Sequence, residues 1–273
     1  MESLIILTIL CYLTSTVIYF AYLLSQRKGL HRFGLYLLVA GFACHSLWLA
    51  GGFYRYGTIP ASNLFETLTI AAWALAGVFI FFHARYRLEV LGVYAAPLNA
   101  MIMVVAFQLP REPLQVKNLF NSAWLVFHII AIFIGEAALA LACGVGILYL
   151  LQENAIKRKQ RGFFFKRLPS LDLLDTTGYG CIVVGFTMLT VGLVTGFIYA
   201  QTIWGRFWSW DPKEVWSGIT WLIYAALLHQ RLTVGWRGRR AAVMAIIGFA
   251  VILFTFFGVN FLLEGHHGAF TRR

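Results

Sequence analysis

Apolar residues in this chain neither alternate with polar ones nor recur on one helical face; they run on. Eight stretches, roughly 3–24, 33–53, 64–83, 90–109, 122–151, 178–200, 217–235 and 241–262, are mostly apolar throughout. A helix needs about 20 such residues to cross the hydrocarbon of a bilayer. Lipid leaves a backbone no partner but itself, so runs of this length read as helices. The pattern therefore predicts an all-α polytopic membrane protein with about eight transmembrane helices in a single integral-membrane domain, 1–273. The fifth stretch is long enough to tilt or project. The opening MESLIILTIL carries an acid and no basic flank, so it reads as a retained first span rather than a cleaved signal.

Composition agrees. Of 273 residues, 60% are hydrophobic and only 12% charged. Soluble domains hold about 45–50% and about 25%. A disordered chain, a coiled coil and an ordinary soluble enzyme are excluded. The net charge of +11 would point to nucleic acid in a soluble protein. Here the basic residues sit between apolar runs, where they set topology and meet anionic lipid, so no nucleic-acid partner is expected. Fifteen of the 22 fall in one set of loops, around Arg27–Arg32, Arg85–Arg87, Lys157–Arg167 and Arg231–Arg240; seven fall on the other side. The positive-inside rule places the richer set in the cytoplasm. Both termini and the segment 201–221 are then extracytoplasmic. The four cysteines, Cys11, Cys44, Cys143 and Cys181, lie in apolar runs and form no C-x-x-C. That excludes a disulfide framework and thiol–disulfide catalysis by this chain alone.

The chemistry concentrates in residues 204–222, WGRFWSWDPKEVWSGITWL. Five of the nine tryptophans lie here: Trp204, Trp208, Trp210, Trp216 and Trp221. An interfacial aromatic belt accounts for one or two tryptophans at the mouth of a span. Five, interleaved with Asp, Lys and Glu, fit a platform for a large planar apolar ligand better. Asp211-Pro212-Lys213-Glu214 has the spacing of a helix start, with Asp at the N-cap, Pro at the first position and Glu at the third. Capping is favoured over catalysis for Asp211 and Glu214. Such a start would fix the preceding tryptophans and offer its dipole to a ligand carboxylate.

An intramembrane histidine points to function by default. His128 lies near the outer end of the fifth span; His266 and His267 follow the eighth, also outside. Outward histidines flanking the tryptophan segment fit axial ligation of one iron. His229 lies at the inner end of the seventh span. It is 13 residues from Trp216, about 20 Å of helix rise, so one metal cannot serve both levels and two sites are implied. The other histidines read more simply. His31 is expected in a loop, His83 at the interface, and His45 in a hydrogen bond to a neighbouring helix. Glu136 either pairs with another helix or serves an ion or ligand path. Gly135, Ala138, Ala142 and Gly146 form a small-residue stripe that predicts close helix contact.

These residues resemble a known family. WGRFWSWDPKEVWSGITWL is similar to the tryptophan-rich WWD signature of haem-handling proteins in cytochrome c maturation. PASNLFETL (60–68), SAWLVFH (122–128), LLHQR (227–231) and GVNFLLEGHH (258–267) narrow the resemblance to the CcsA (ResC) type, from about residue 60 to the C-terminus. It implies an external haem held against the signature between two histidines that match His128 and His267; His266 stands beside the second. It also implies an inner haem at His229, and a further ligand in a CcsB (ResB)-like membrane partner. The implied cofactor-binding set is His128, His267, His229, Trp204, Trp208, Trp210, Asp211, Trp216 and Trp221, with haem b bound and transported. The implied function is haem export across the cytoplasmic membrane and presentation on the extracytoplasmic face. There haem would be attached to an apocytochrome c with a C-x-x-C-H segment. The chain would then be part of a thioether-forming holocytochrome c synthase, with no catalytic residue assigned. Two alternatives stay open: a transmembrane dihaem electron carrier, and a CcmC-like protein that delivers haem without attaching it.

Overall fold

The computed structural model describes residues 2–57, 61, 63–111, 123–159 and 162–259. They are helical almost throughout: α1 (Glu2–Ser25), α2 (Lys28–Tyr56), α3 (Leu64–Tyr86), α4 (Gly92–Phe107, entered through a 3-10 turn at Glu89–Leu91), α5 (Ala123–Lys157), the short α6 (Phe163–Arg167), α7 (Leu171–Trp204), α8 (Pro212–Thr233) and α9 (Arg239–Leu253). No strand occurs among the described residues. Seven of these segments are long and apolar enough to cross a membrane. The expected seventh span is the exception. Its helix, α8, has 22 residues, enough length for a bilayer. However, Lys213, Glu214, Ser217, Thr220, His229, Gln230 and Arg231 make it the most polar of the long helices.

Two helix groups meet along α3 and α5. In the first, α1 packs on α2 and α4, and α3 packs on α4. In the second, α5 runs against α7 and α9, while α8 lies against α7 and α9. The small-residue stripe of α5 makes this second group compact. A side chain at Gly135 would meet the Leu189 nitrogen of α7 at 3.0 Å, and one at Gly146 would meet the Ala242 carbonyl of α9 at 2.9 Å. Helices in lipid associate largely through such close backbone approach.

The first group is joined by polar side chains instead. Thr8, Tyr12, Ser15, Tyr19 and Tyr22 are buried along one face of α1, at the alternating three- and four-residue spacing of a helical stripe. Ser15 donates to the Gly34 carbonyl at 2.8 Å, Tyr22 donates to Glu89 at 2.9 Å, and the Tyr12 hydroxyl lies 3.4 Å from His45 Nδ1. His31 corrects the expectation of a loop residue. Gln26 takes φ 54° and reverses the chain at once, so α2 restarts at Lys28 and carries His31 inward. Its imidazole is 5% exposed, with its ring centre 5.0 Å from that of His83 and 5.9 Å from that of Tyr19.

Candidate functional site at the C-terminal end of α7

His128 projects from α5 onto α7, where Nδ1 lies 2.8 Å from the Gly192 carbonyl. A carbonyl only accepts, so Nδ1 carries the proton and donates. A contact of this kind fixes the tautomer and direction of an imidazole, as the outer partners of metal-binding histidines do. Gly196 makes the seat: a Cβ there would stand 2.8 Å from His128 Cε1. Thr195 completes it, with its hydroxyl 3.4 Å from Nδ1 and its carbonyl accepting from the Trp124 indole at 3.1 Å.

The same turn of α7 reaches the tryptophan segment. Phe197 meets Trp208 edge-on at 5.6 Å, and Trp208 meets Trp210 at 5.7 Å and 90°. The Trp208 indole nitrogen is buried without a hydrogen-bond partner among the described residues. Trp210 is 77% exposed and sits at φ 60°, a left-handed conformation that bulky residues rarely adopt. Such local strain is typical of ligand clamps.

The helix start forms as its spacing predicts. Asp211 caps α8 in a complete capping box with Glu214, and Pro212 takes the first helical position. Ser209 adds two bonds to the Glu214 carboxylate, at 2.8 Å from its amide and 2.9 Å from its hydroxyl. The Asp211 side chain, 5% exposed, is thus engaged in the cap. Lys213 follows it. Burial lowers the pKa of its ammonium, opposed by the carboxylates of Glu136 on α5 and Asp211.

The remaining sequence-predicted residues divide. Trp216 packs on Phe254 at 4.5 Å, where α9 widens into a π-helical turn at Phe254–Gly258. Trp221 donates to the Thr190 hydroxyl at 2.8 Å. These two are drawn into helix contacts, whereas Trp208 and Trp210 lie beside the turn of α7 that seats His128. His229 is exposed near the C-terminal end of α8, remote from this group. The side chain of Trp204, which ends α7, and both His266 and His267 lie outside the described residues. The seat of His128 was missed from the sequence, although its signal, Gly192 and Gly196 four residues apart on one face, is present there. No group of three or more His, Cys, Asp or Glu among the described residues is arranged to hold a metal ion. A metal at His128 would need ligands from elsewhere.

Helices long enough to span a membrane, with a histidine seat beside a capped tryptophan loop, define an all-helical polytopic membrane protein with one built site near a helix mouth among the described residues. Comparison with known proteins agrees. The family model described as "Cytochrome C assembly protein" matches residues 61–267. The chain is similar to the cytochrome c biogenesis protein CcsA of Chlorella vulgaris, at 36% identity over 82% of this chain and 81% of that protein. It is also similar to CcsA of Synechococcus elongatus, at 30% identity over 95% and 92%, and to CcsA of Chlamydomonas reinhardtii, at 36% over 78% of this chain and 61% of that longer protein. The chain belongs to the cytochrome c assembly protein family and is of the CcsA type. Among solved structures, the fold is shared with the cytochrome c heme lyase CcmF, at a TM-score of 0.64 and 16% identity, over 98% of this chain and 48% of that one.

Proposed function

We propose that this chain carries haem from an inner site at His229 to an external site at His128 and presents it there for attachment to an apocytochrome c. The observation that carries the reading is the His128 seat. An imidazole held by a backbone carbonyl beside the tryptophan segment, with Gly196 leaving room for its ring, supports an axial-ligand role for His128. The ligand chemistry fits: a porphyrin brings four nitrogens of its own, so the protein need supply only axial imidazoles and flat apolar walls. His267 is the second external ligand by family resemblance. Trp208 and Trp210 form the rim, and the buried Trp208 N–H is a donor suited to a ligand oxygen. A CcsB-like partner in the same membrane supplies the further ligand to the inner haem. In the attachment step each substrate thiol adds across a vinyl group, sulfur to one carbon and hydrogen to its neighbour, with no leaving group. The chain's share is orientation, axial ligation and exclusion of water.

The reading puts the cytoplasm on the side of the fifteen-residue basic set. A reporter fused after residue 205 that reads cytoplasmic would overturn it. The relay itself is tested by asymmetry. His229→Ala should lower haem at both sites, because the outer is filled from the inner, whereas His128→Ala should lower only the outer. Reduced-haem spectra and total haem per protein of the two purified variants, made with the CcsB-like partner, decide the matter. Full external haem in the His229 variant would leave two independent sites and favour the dihaem electron carrier.

A further inference from the structure

The inner end of α8 is anchored at one point. Asp175, in the second turn of α7, receives Arg231 as a fork: Nη1 donates to Oδ1 at 3.0 Å and Nη2 to Oδ2 at 2.6 Å. The same Oδ1 accepts from the Gly238 amide at 2.8 Å, where α9 begins. Tyr179, one turn along α7, lies under the guanidinium at 4.4 Å. Both charged side chains are largely buried, Arg231 to 10% and Asp175 to 16% exposure. A bidentate Arg–carboxylate pair fixes geometry as well as energy. One carboxylate thus ties together the end of α8, the start of α9 and the body of α7.

The consequence falls on His229. It precedes Arg231 by two residues, about 200° around a helix of 3.6 residues per turn. With Arg231 held inward, His229 must point away from the bundle, and it is exposed. Among the described residues no hydrogen bond, ion pair or ring contact holds the His229 side chain. Its carbonyl accepts from the Thr233 hydroxyl at 2.7 Å, but that bond lies within the same helix and cannot set the helix's height or rotation.

We infer that Asp175 is a positioning residue for the inner haem ligand: through Arg231 it sets the depth and direction at which α8 offers His229. This rests on the proposed role of His229. Asp175 touches no ligand itself, so its loss should act only through that histidine. Loss of an outer contact of this kind typically costs about 10- to 100-fold in metal affinity.

The test uses the full chain made with its CcsB-like partner in a His128→Ala background, so that the haem measured is the inner one. Asp175→Ala should lower low-spin haem per protein by about tenfold, with unchanged helical content by circular dichroism. Added to His229→Gly, it should lower haem no further, because the two residues act as a unit. An equal loss with and without His229, or no loss at all, would overturn the positioning role. If Asp175→Ala fails to accumulate, Arg231→Lys keeps the charge, loses the fork and is scored in the same way. If His229→Gly alone keeps full inner haem, the assignment of His229 fails, a result distinct from failure of the clamp.

Discussion

The two helix groups use histidine in opposite ways. In α1–α4, His31, His45 and His83 are enclosed by other rings: His31 by Tyr19, Tyr22 and His83, and His45 by Tyr12 and Trp48. In α5–α9, His128 is held by a backbone carbonyl and a glycine seat at the edge of the tryptophan segment, and His229 stands on an outer face. An enclosed imidazole contributes shape and aromatic contact. On the proposed reading, an imidazole seated as His128 is contributes a ligand. His45 also has a partner at Nδ1, the Tyr12 hydroxyl; what sets His128 apart is its backbone seat beside the tryptophan segment.

The largest effect that can break this contrast comes from making one substitution on both sides. Phenylalanine keeps the ring and removes the nitrogens. His128→Phe should abolish cytochrome c maturation and external haem. His31→Phe should leave maturation within about twofold of the parent and change stability by under about 1 kcal/mol, because its contacts are ring contacts and a same-shape apolar replacement of a weakly bonded polar group is close to neutral. Thermal unfolding in detergent and holocytochrome yield measure both. Loss of maturation in His31→Phe would give the first helix group a chemical role and end the contrast.

Much of the second group could be read in the sequence, because its signals are local. The Asp211–Glu214 capping box spans four consecutive residues and forms as its spacing requires. The α5 stripe of Gly135 and Gly146 is likewise a spacing, and both positions meet a neighbouring backbone. The helical class followed from run length alone. What could not be read is tertiary. His31 meets His83 across 52 positions, and Arg231 meets Asp175 across 56; a chain read in order gives no sign of either. The restart of α2 at Lys28 hinged on one left-handed residue, Gln26. The polar character of α8 is visible in the sequence, although its own apolar stretch, 217–235, is long enough to read as a span.

A smaller effect sharpens the orienting role itself. Gly196→Ala places a methyl group 2.8 Å from His128 Cε1, inside contact distance. The ring must turn or α5 must shift, so Nε2 leaves its direction while both partners remain. An outer-contact defect of this kind should lower external haem by about tenfold or more, and free imidazole should restore part of it by filling the axial position. By contrast, Gly205→Ala, at a left-handed position with open space around it, should cost only about 1 kcal/mol of local stability and leave the haem spectrum unchanged. Equal haem in the Gly196→Ala variant and the parent would show that the glycine seat does not control the ligand.

The smallest effect concerns Trp221, which lies between the two uses of an aromatic residue. It belongs to the tryptophan signature, yet its indole donates to Thr190 at 2.8 Å and its ring packs on Phe186 at 5.4 Å. These are helix-to-helix contacts between α8 and α7. Thr190→Val removes the acceptor, keeps the volume and leaves the indole N–H without its partner. Interhelical hydrogen bonds of this kind average about 0.6 kcal/mol in membrane proteins, so unfolding in detergent should shift by a similarly small amount. If Trp221 is a strut, external haem should change by less than about threefold, the factor that an energy of that size is worth when all of it reaches the site. A haem loss well beyond what the stability change accounts for would move Trp221 from the strut to the ligand wall and extend the site inward from the rim formed by Trp208 and Trp210.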